Sequence, residues 1–119
     1  MATKPPPFKK LTARQWKTVA KSPDDHIGER YVVYGVVTQF DAATGEDAFR
    51  ANADGVRHAE SYDYDTNTLF SGDATTLKSL VEDDQFRAKV TVLGSYSYDT
   101  QMGGNTTAPQ LIVESIEIL

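Results

Sequence analysis

The chain has 119 residues, 39% of them hydrophobic and 24% charged, with 8 Gly and 5 Pro. That is the length and composition of one globular domain and excludes a two-domain, collagenous or low-complexity chain. There is no cysteine, so a disulfide framework, a thiolate metal site and a cysteine nucleophile are excluded, and no apolar run nears the roughly 18 residues of a membrane span or signals secretion, which leads to the expectation of a cytoplasmic chain without membrane insertion.

The net charge of −5 hides a division along the chain. Residues 1–21 carry Lys4, Lys9, Lys10, Arg14, Lys17 and Lys21 and no acid, which is +6, so the remainder carries −11. A basic segment on an acidic body can meet another copy, an acidic partner or a phosphate backbone. Within it Pro5, Pro6 and Pro7 fix φ and favour a stiff polyproline II leader. Lys4, Pro5, Pro6, Pro7, Phe8, Lys9 and Lys10 are the candidate docking arm, residues 1–11 in all, ahead of a single domain at 12–119.

Thr12 followed by Gln15 has capping-box spacing, and Leu11 with Trp16 has that of a hydrophobic staple, which predicts a helix starting here. Its apolar face is Trp16, Val19 and Ala20, Lys17 and Lys21 suit its C-terminal end, and Pro23 stops it. Arg30 to Phe40, dense in β-branched and aromatic residues, reads as a strand in which Gly35 marks a bulge or sharp coil. After a turn at 41–46, Ala48 to Asp54 alternates, with Phe49, Ala51 and Ala53 on one side, so the two strands form a hairpin. A third strand falls between His58 and Ser71, best at Asn67 to Phe70. Asp73 caps a short helix with Leu77, Leu80 and Val81 on one face. Gln85 to Tyr98 returns to strand, residues 99–109 read as a polar loop, and Leu111 to Leu119 is the last strand.

Three strands, a helix and two strands is the order of the five-stranded OB-fold, with a small α+β sandwich as its competitor. The pieces Arg30 to Ala51 and Tyr98 to Val113, through Gly35, Gln39-Phe40-Asp41, Gly45, Phe49-Arg50 and Gly103-Gly104-Asn105, resemble OB-fold domains of the tRNA-anti-like type found in actinobacterial proteins and their phages. Such domains often follow a membrane or lipoprotein anchor. Here the basic leader stands in that place, so the resemblance implies a cytosolic or phage-encoded, virion-associated version. It implies a fold and a binding habit, with no reaction attached.

Catalytic readings fail on the residues. His26 and His58 have no serine-triad setting, and Gly103-Gly104 lacks the lysine and helix of a phosphate loop. Asp63 to Asn67 opens like a calcium loop, but Thr68 and Ala74 stand where Gly and Glu are required. No catalytic residue, metal or cofactor is assigned. Tyr62, Tyr64, Tyr96 and Tyr98, with Arg50, Asn52, Arg57 and Met102, are the candidate binding surface, near where OB-folds take extended ligands. Their neighbours Glu60, Asp63, Asp65 and Asp99 oppose phosphate, so the expectation is a non-enzymatic module acting through protein contacts or self-association, with nucleic acid disfavoured by the acidic body. Single-stranded nucleic-acid binding, with Arg50, Arg57 and the arm supplying charge, is the alternative.

Overall fold

A computed structural model describes residues 7–99 and 105–119. Its elements are β1 (Lys9–Lys10), α1 (Ala13–Lys21), a 3-10 turn (Pro23–His26), β2 (Arg30–Gln39), β3 (Ala48–Asp54), a second 3-10 turn (Ser61–Asp63), β4 (Thr66–Ser71), α2 (Ala74–Leu77), β5 (Gln85–Asp99) and β6 (Asn105–Ile118). The strand order β2-β3-β4-β6-β5 closes on itself because β5 also pairs with β2. The result is a five-stranded OB-fold-like barrel, with a helix before the first barrel strand and a short helix between the third and fourth.

Thr12 builds the predicted cap: its hydroxyl accepts from the Gln15 amide, and the Gln15 side chain accepts from the Thr12 amide. Leu11 and Trp16 are both buried, seating α1 against the barrel end, where the Trp16 indole N–H has no hydrogen-bond partner among the described residues. The backbone at Gly55 passes so close that a side chain there would meet Leu11 and Trp16 at 3.0 Å.

Inside the barrel Phe49 and Phe70 stack with centroids 4.9 Å apart, and Phe86 meets both edge-on at 5.6 and 5.3 Å. Each such pair adds about 0.5–1.5 kcal/mol beyond the area it buries. Gly35 pairs with Ala53 on one side and Phe86 on the other. A Cβ there would lie 2.6 Å from the Asn52 carbonyl and 2.9 Å from the Phe86 ring. The bulge expected at Gly35 is absent; the register shift falls between Val37 and Gln39, and the glycine serves close approach instead.

Two further expectations are corrected. The second helix stops at Leu77, leaving Val81 59% exposed. Asp83 turns through φ 74, and the 83–84 backbone exchanges hydrogen bonds with Val37, so this segment is tied to β2 rather than wound into helix. The segment 99–109 is not all loop: Asn105 to Gln110 pair with Asp99 back to Gly94. Hydroxyl pairs such as Ser97 with Thr107, 3.1 Å apart, support this polar hairpin without an apolar pattern.

Gly35→Ala is expected to destabilise the fold by about 1–3 kcal/mol or more, since neither the Asn52 backbone nor the packed Phe86 ring can give way. Urea unfolding followed by Trp16 fluorescence checks this, and an unchanged midpoint would refute the account of Gly35.

Candidate nucleic-acid interface

Strand alternation sorts side chains into the barrel or out of it. On β2, Tyr31, Val33 and Val37 join the core while Arg30, Val32, Tyr34 and Val36 face outward. Pairing with β5 sets Arg30 beside Thr91, Val32 beside Lys89 and Tyr34 beside Arg87. β3 ends opposite Tyr34, and the edge of β2 that it leaves open is taken by β1, which runs parallel and pairs Lys9 with Tyr31 and Lys10 with Val32. Lys10, Val32 and Lys89 thus form one outward row across three strands.

The Phe8 ring lies on this face. The Arg30 guanidinium carbon sits 3.8 Å from its centroid and the Lys89 ammonium 5.8 Å from it, a cation–π arrangement that holds an aromatic ring among cations at the surface. Lys10, Arg87 and Lys89 are exposed, and Arg30, Tyr34 and Phe8 are half-buried. Acids border the patch on β6, where Glu117 pairs with Arg87 and Glu114 accepts from the Thr91 hydroxyl.

The residues singled out in the sequence are scattered. Arg50 and Asn52 point outward from β3, opposite Leu69 and Asn67, and both are half-buried. Arg57 is exposed and Tyr62 is 80% exposed, on the loop between β3 and β4. Tyr64, on the same loop, is buried; its hydroxyl accepts from the His58 amide at 2.8 Å and donates to the His58 carbonyl. Tyr96 stands exposed on the β5–β6 hairpin. Tyr98 belongs to β5, with its side chain outside the description, and Met102, Lys4, Pro5 and Pro6 lie outside the described residues. Of the arm, Pro7 is exposed, and Phe8, Lys9 and Lys10 enter the face just described. Arg30 and Lys89, central to that face, were missed. Arg30 opens a strand and Lys89 alternates with core residues, so the only signal was their outward phase.

Other recesses have different chemistry. A groove of about 710 Å³ between the 41–46 turn and α2 is lined by Phe40, Leu80, Asp41, Glu46 and Lys78. A smaller one of about 260 Å³ beside α1 holds Lys9, His26, Glu29 and Tyr31. There the Tyr31 hydroxyl donates to Glu29 at 2.6 Å, and His26 Nδ1 lies 2.7 Å from the other carboxylate oxygen. Burial, then the bond to Glu29, pushes the Tyr31 phenol up to about 12. The Tyr31 hydroxyl, then His26 and Lys9, hold Glu29 below the usual carboxylate range. Among the described residues no group of three or more His, Asp or Glu could hold a metal ion, and no helix is long and apolar enough to cross a membrane.

No family model matches the chain, and no curated protein does. Among solved structures it is similar to two crystal structures of Rim1, the mitochondrial single-stranded DNA binding protein of S. cerevisiae. One has a TM-score of 0.42 at 11% identity, covering 77% of this chain and 94% of that one. The selenomethionine-labelled form has a TM-score of 0.44 at 12% identity, covering 77% and 95%. The expectation that the acidic body disfavours nucleic acid is corrected at the Phe8 ring, which has Arg30 and Lys89 against it on the outer face. The physical reason is that net charge is not local charge. Cations distant in sequence gather on the β1–β2–β5 face, around an aromatic ring.

The Tyr31–Glu29 pair gives a pH test. The raised phenol stabilises the fold below about pH 10 and loses that contribution as pH climbs toward 12; the lowered carboxyl contributes above its ordinary range and loses it as pH falls. Tyr31→Phe should therefore flatten the fall in melting temperature between pH 10 and 12 and remove a phenolate that titrates near pH 12 from the ultraviolet absorbance. Identical alkaline curves for the two proteins would contradict the pairing.

Proposed function

We propose that this chain is a non-enzymatic OB-fold module that binds single-stranded nucleic acid across the outer face of β1, β2 and β5. The observation that carries this reading is the Phe8 ring held under Arg30 and beside Lys89, with Lys10 in the same row. Lys10, Arg30 and Lys89 supply phosphate contacts, and Phe8, Tyr34 and the Arg30 guanidinium plane offer surfaces on which bases stack. Stacking and a cationic track together are what sequence-tolerant single-strand binding requires. Glu114 and Glu117 give the track an acidic border, which steers the phosphates toward the β1 side. The single-strand DNA binding of Rim1 is an activity of the same kind on a similar barrel.

The test is fluorescence anisotropy of a labelled oligothymidylate titrated with the full chain over a salt series. Three neutralised phosphates predict that log K falls against log salt with a slope of about −2. Phe8→Ala is expected to cost about 1–3 kcal/mol of binding, the worth of one stacked base. Lys89→Ala should weaken binding and flatten the slope by roughly 0.7. Variants are compared at matched thermal stability. Absence of binding at low salt, or binding indifferent to Phe8 and Lys89, would sink the proposal and return attention to a protein-contact role in a virion or other assembly.

A further inference from the structure

The outward face of β2 does not end at Tyr34. The next outward residue, Val36, pairs with Asn52 on β3 and Gln85 on β5 and, like Val32, is 7% exposed and outside the core cluster. Tyr64 is likewise buried outside that cluster. The loop 55–65 comes to this end of the strand: the Gln85 side-chain Nε2 donates to the Ser61 hydroxyl at 3.1 Å, and Gln85 is the β5 partner of Val36.

The loop is fastened by polar contacts at its root and by the burial of Tyr64. Asp54, at its root, is buried; its carboxylate accepts from the Gly55 amide at 2.6 Å and from His58 Nε2 at 2.7 Å. His58 packs edge-on against the Tyr64 ring, 4.9 Å between centroids, and its backbone engages the Tyr64 hydroxyl. Glu60 and Asp63, adjacent to Ser61 and two residues beyond it, are exposed, so the loop carries carboxylates to the end of the proposed phosphate track.

We infer that loop 55–65 is a displaceable acidic cover over a second stretch of the nucleic-acid face, and that a bound strand competes with its carboxylates and takes the place of its contacts. This inference rests on the nucleic-acid reading above. In the closed state the loop restricts binding to the Phe8–Tyr34 region. Displacement exposes Val36 and Asn52 and frees Tyr64, extending the platform one row, about 7 Å, along β2. Affinity is then reduced by the fraction of molecules that are closed, and loosening the fastenings raises it.

The experiment uses two variants of the full chain. His58→Ala removes the side chain between Asp54 and Tyr64 and should tighten oligothymidylate binding about three- to tenfold, the range set by one intramolecular hydrogen bond. In Ser61→Cys with Gln85→Cys, the only thiols of the chain, a short bis-maleimide closes the loop on the barrel and should weaken binding relative to the same protein without linker. Hydrogen exchange on the wild type should show amides of 55–65 losing protection when the oligonucleotide binds. Wild-type binding with neither variant altered, or added protection of 55–65 on binding, overturns the cover alone. No binding by any form, His58→Ala included, overturns the nucleic-acid reading and the cover with it.

Discussion

The barrel depends on one strand having hydrogen-bonded neighbours on both sides for most of its length. β2 is shared by β3 and β5, and its remaining edge is completed by β1. That sharing forces the Asn52 carbonyl and the Phe86 ring toward the same point, and it is met by having no side chain at residue 35. Phe86 can then turn its ring onto Phe49 and Phe70, so the closure that positions the strands also builds the aromatic centre of the core. The outer face follows from the same register: Arg30 and Lys89 become neighbours because β2 and β5 are paired, and Phe8 reaches them because β3 stops at Asp54 and leaves an edge for β1.

Charge is organised by strand phase rather than by composition. The chain is acidic in total, but many of its carboxylates sit in turns, where they serve backbone amides. Asp41 accepts from Ala43 and Thr44, Asp73 from Thr75, Asp84 from Val81 and Asp24 from Ser95. Acids used in this way cap loops around the barrel and leave one strand face to the cations. The carboxylates that do approach this face, Glu114 and Glu117 on β6, define its border.

The elements with an apolar period were legible in the sequence, and those held by pairing alone were not. The capping box of α1, the β2–β3 hairpin and the alternating half of β5 follow from spacing and propensity. The outer half of the β5–β6 hairpin escapes such a reading because Ser95 faces Pro109 and Ser97 faces Thr107, with no member of the core cluster among them to set a pattern. β1 escapes it too: nothing about Lys9 and Lys10 is strand-like until the open edge of β2 exists. The binding surface was read from tyrosines, of which Tyr64 proves to be part of a loop's own packing. The Phe8–Arg30–Lys89 cluster joins residues from the start, first quarter and last third of the chain, a juxtaposition that no local window contains.

The seam between β2 and β5, and the parallel pairing of β4 with β6, also governs how the chain reaches its native state. The β2–β3 and β5–β6 hairpins can form from nearby residues, but the ring cannot close until strands far apart in sequence meet, and loop-closure entropy opposes that step. A β-barrel dominated by such contacts folds on a scale of roughly milliseconds to seconds, far slower than a helical bundle of equal length. During that interval the edges of β2 and β5 are unpaired. The alternation of Arg30, Arg87 and Lys89 along them places like charges outward, which discourages two unfinished copies from pairing edge to edge. Two of these cations, Arg30 and Lys89, are the ones proposed to meet nucleic acid, so the same charges would guard the barrel's assembly beforehand.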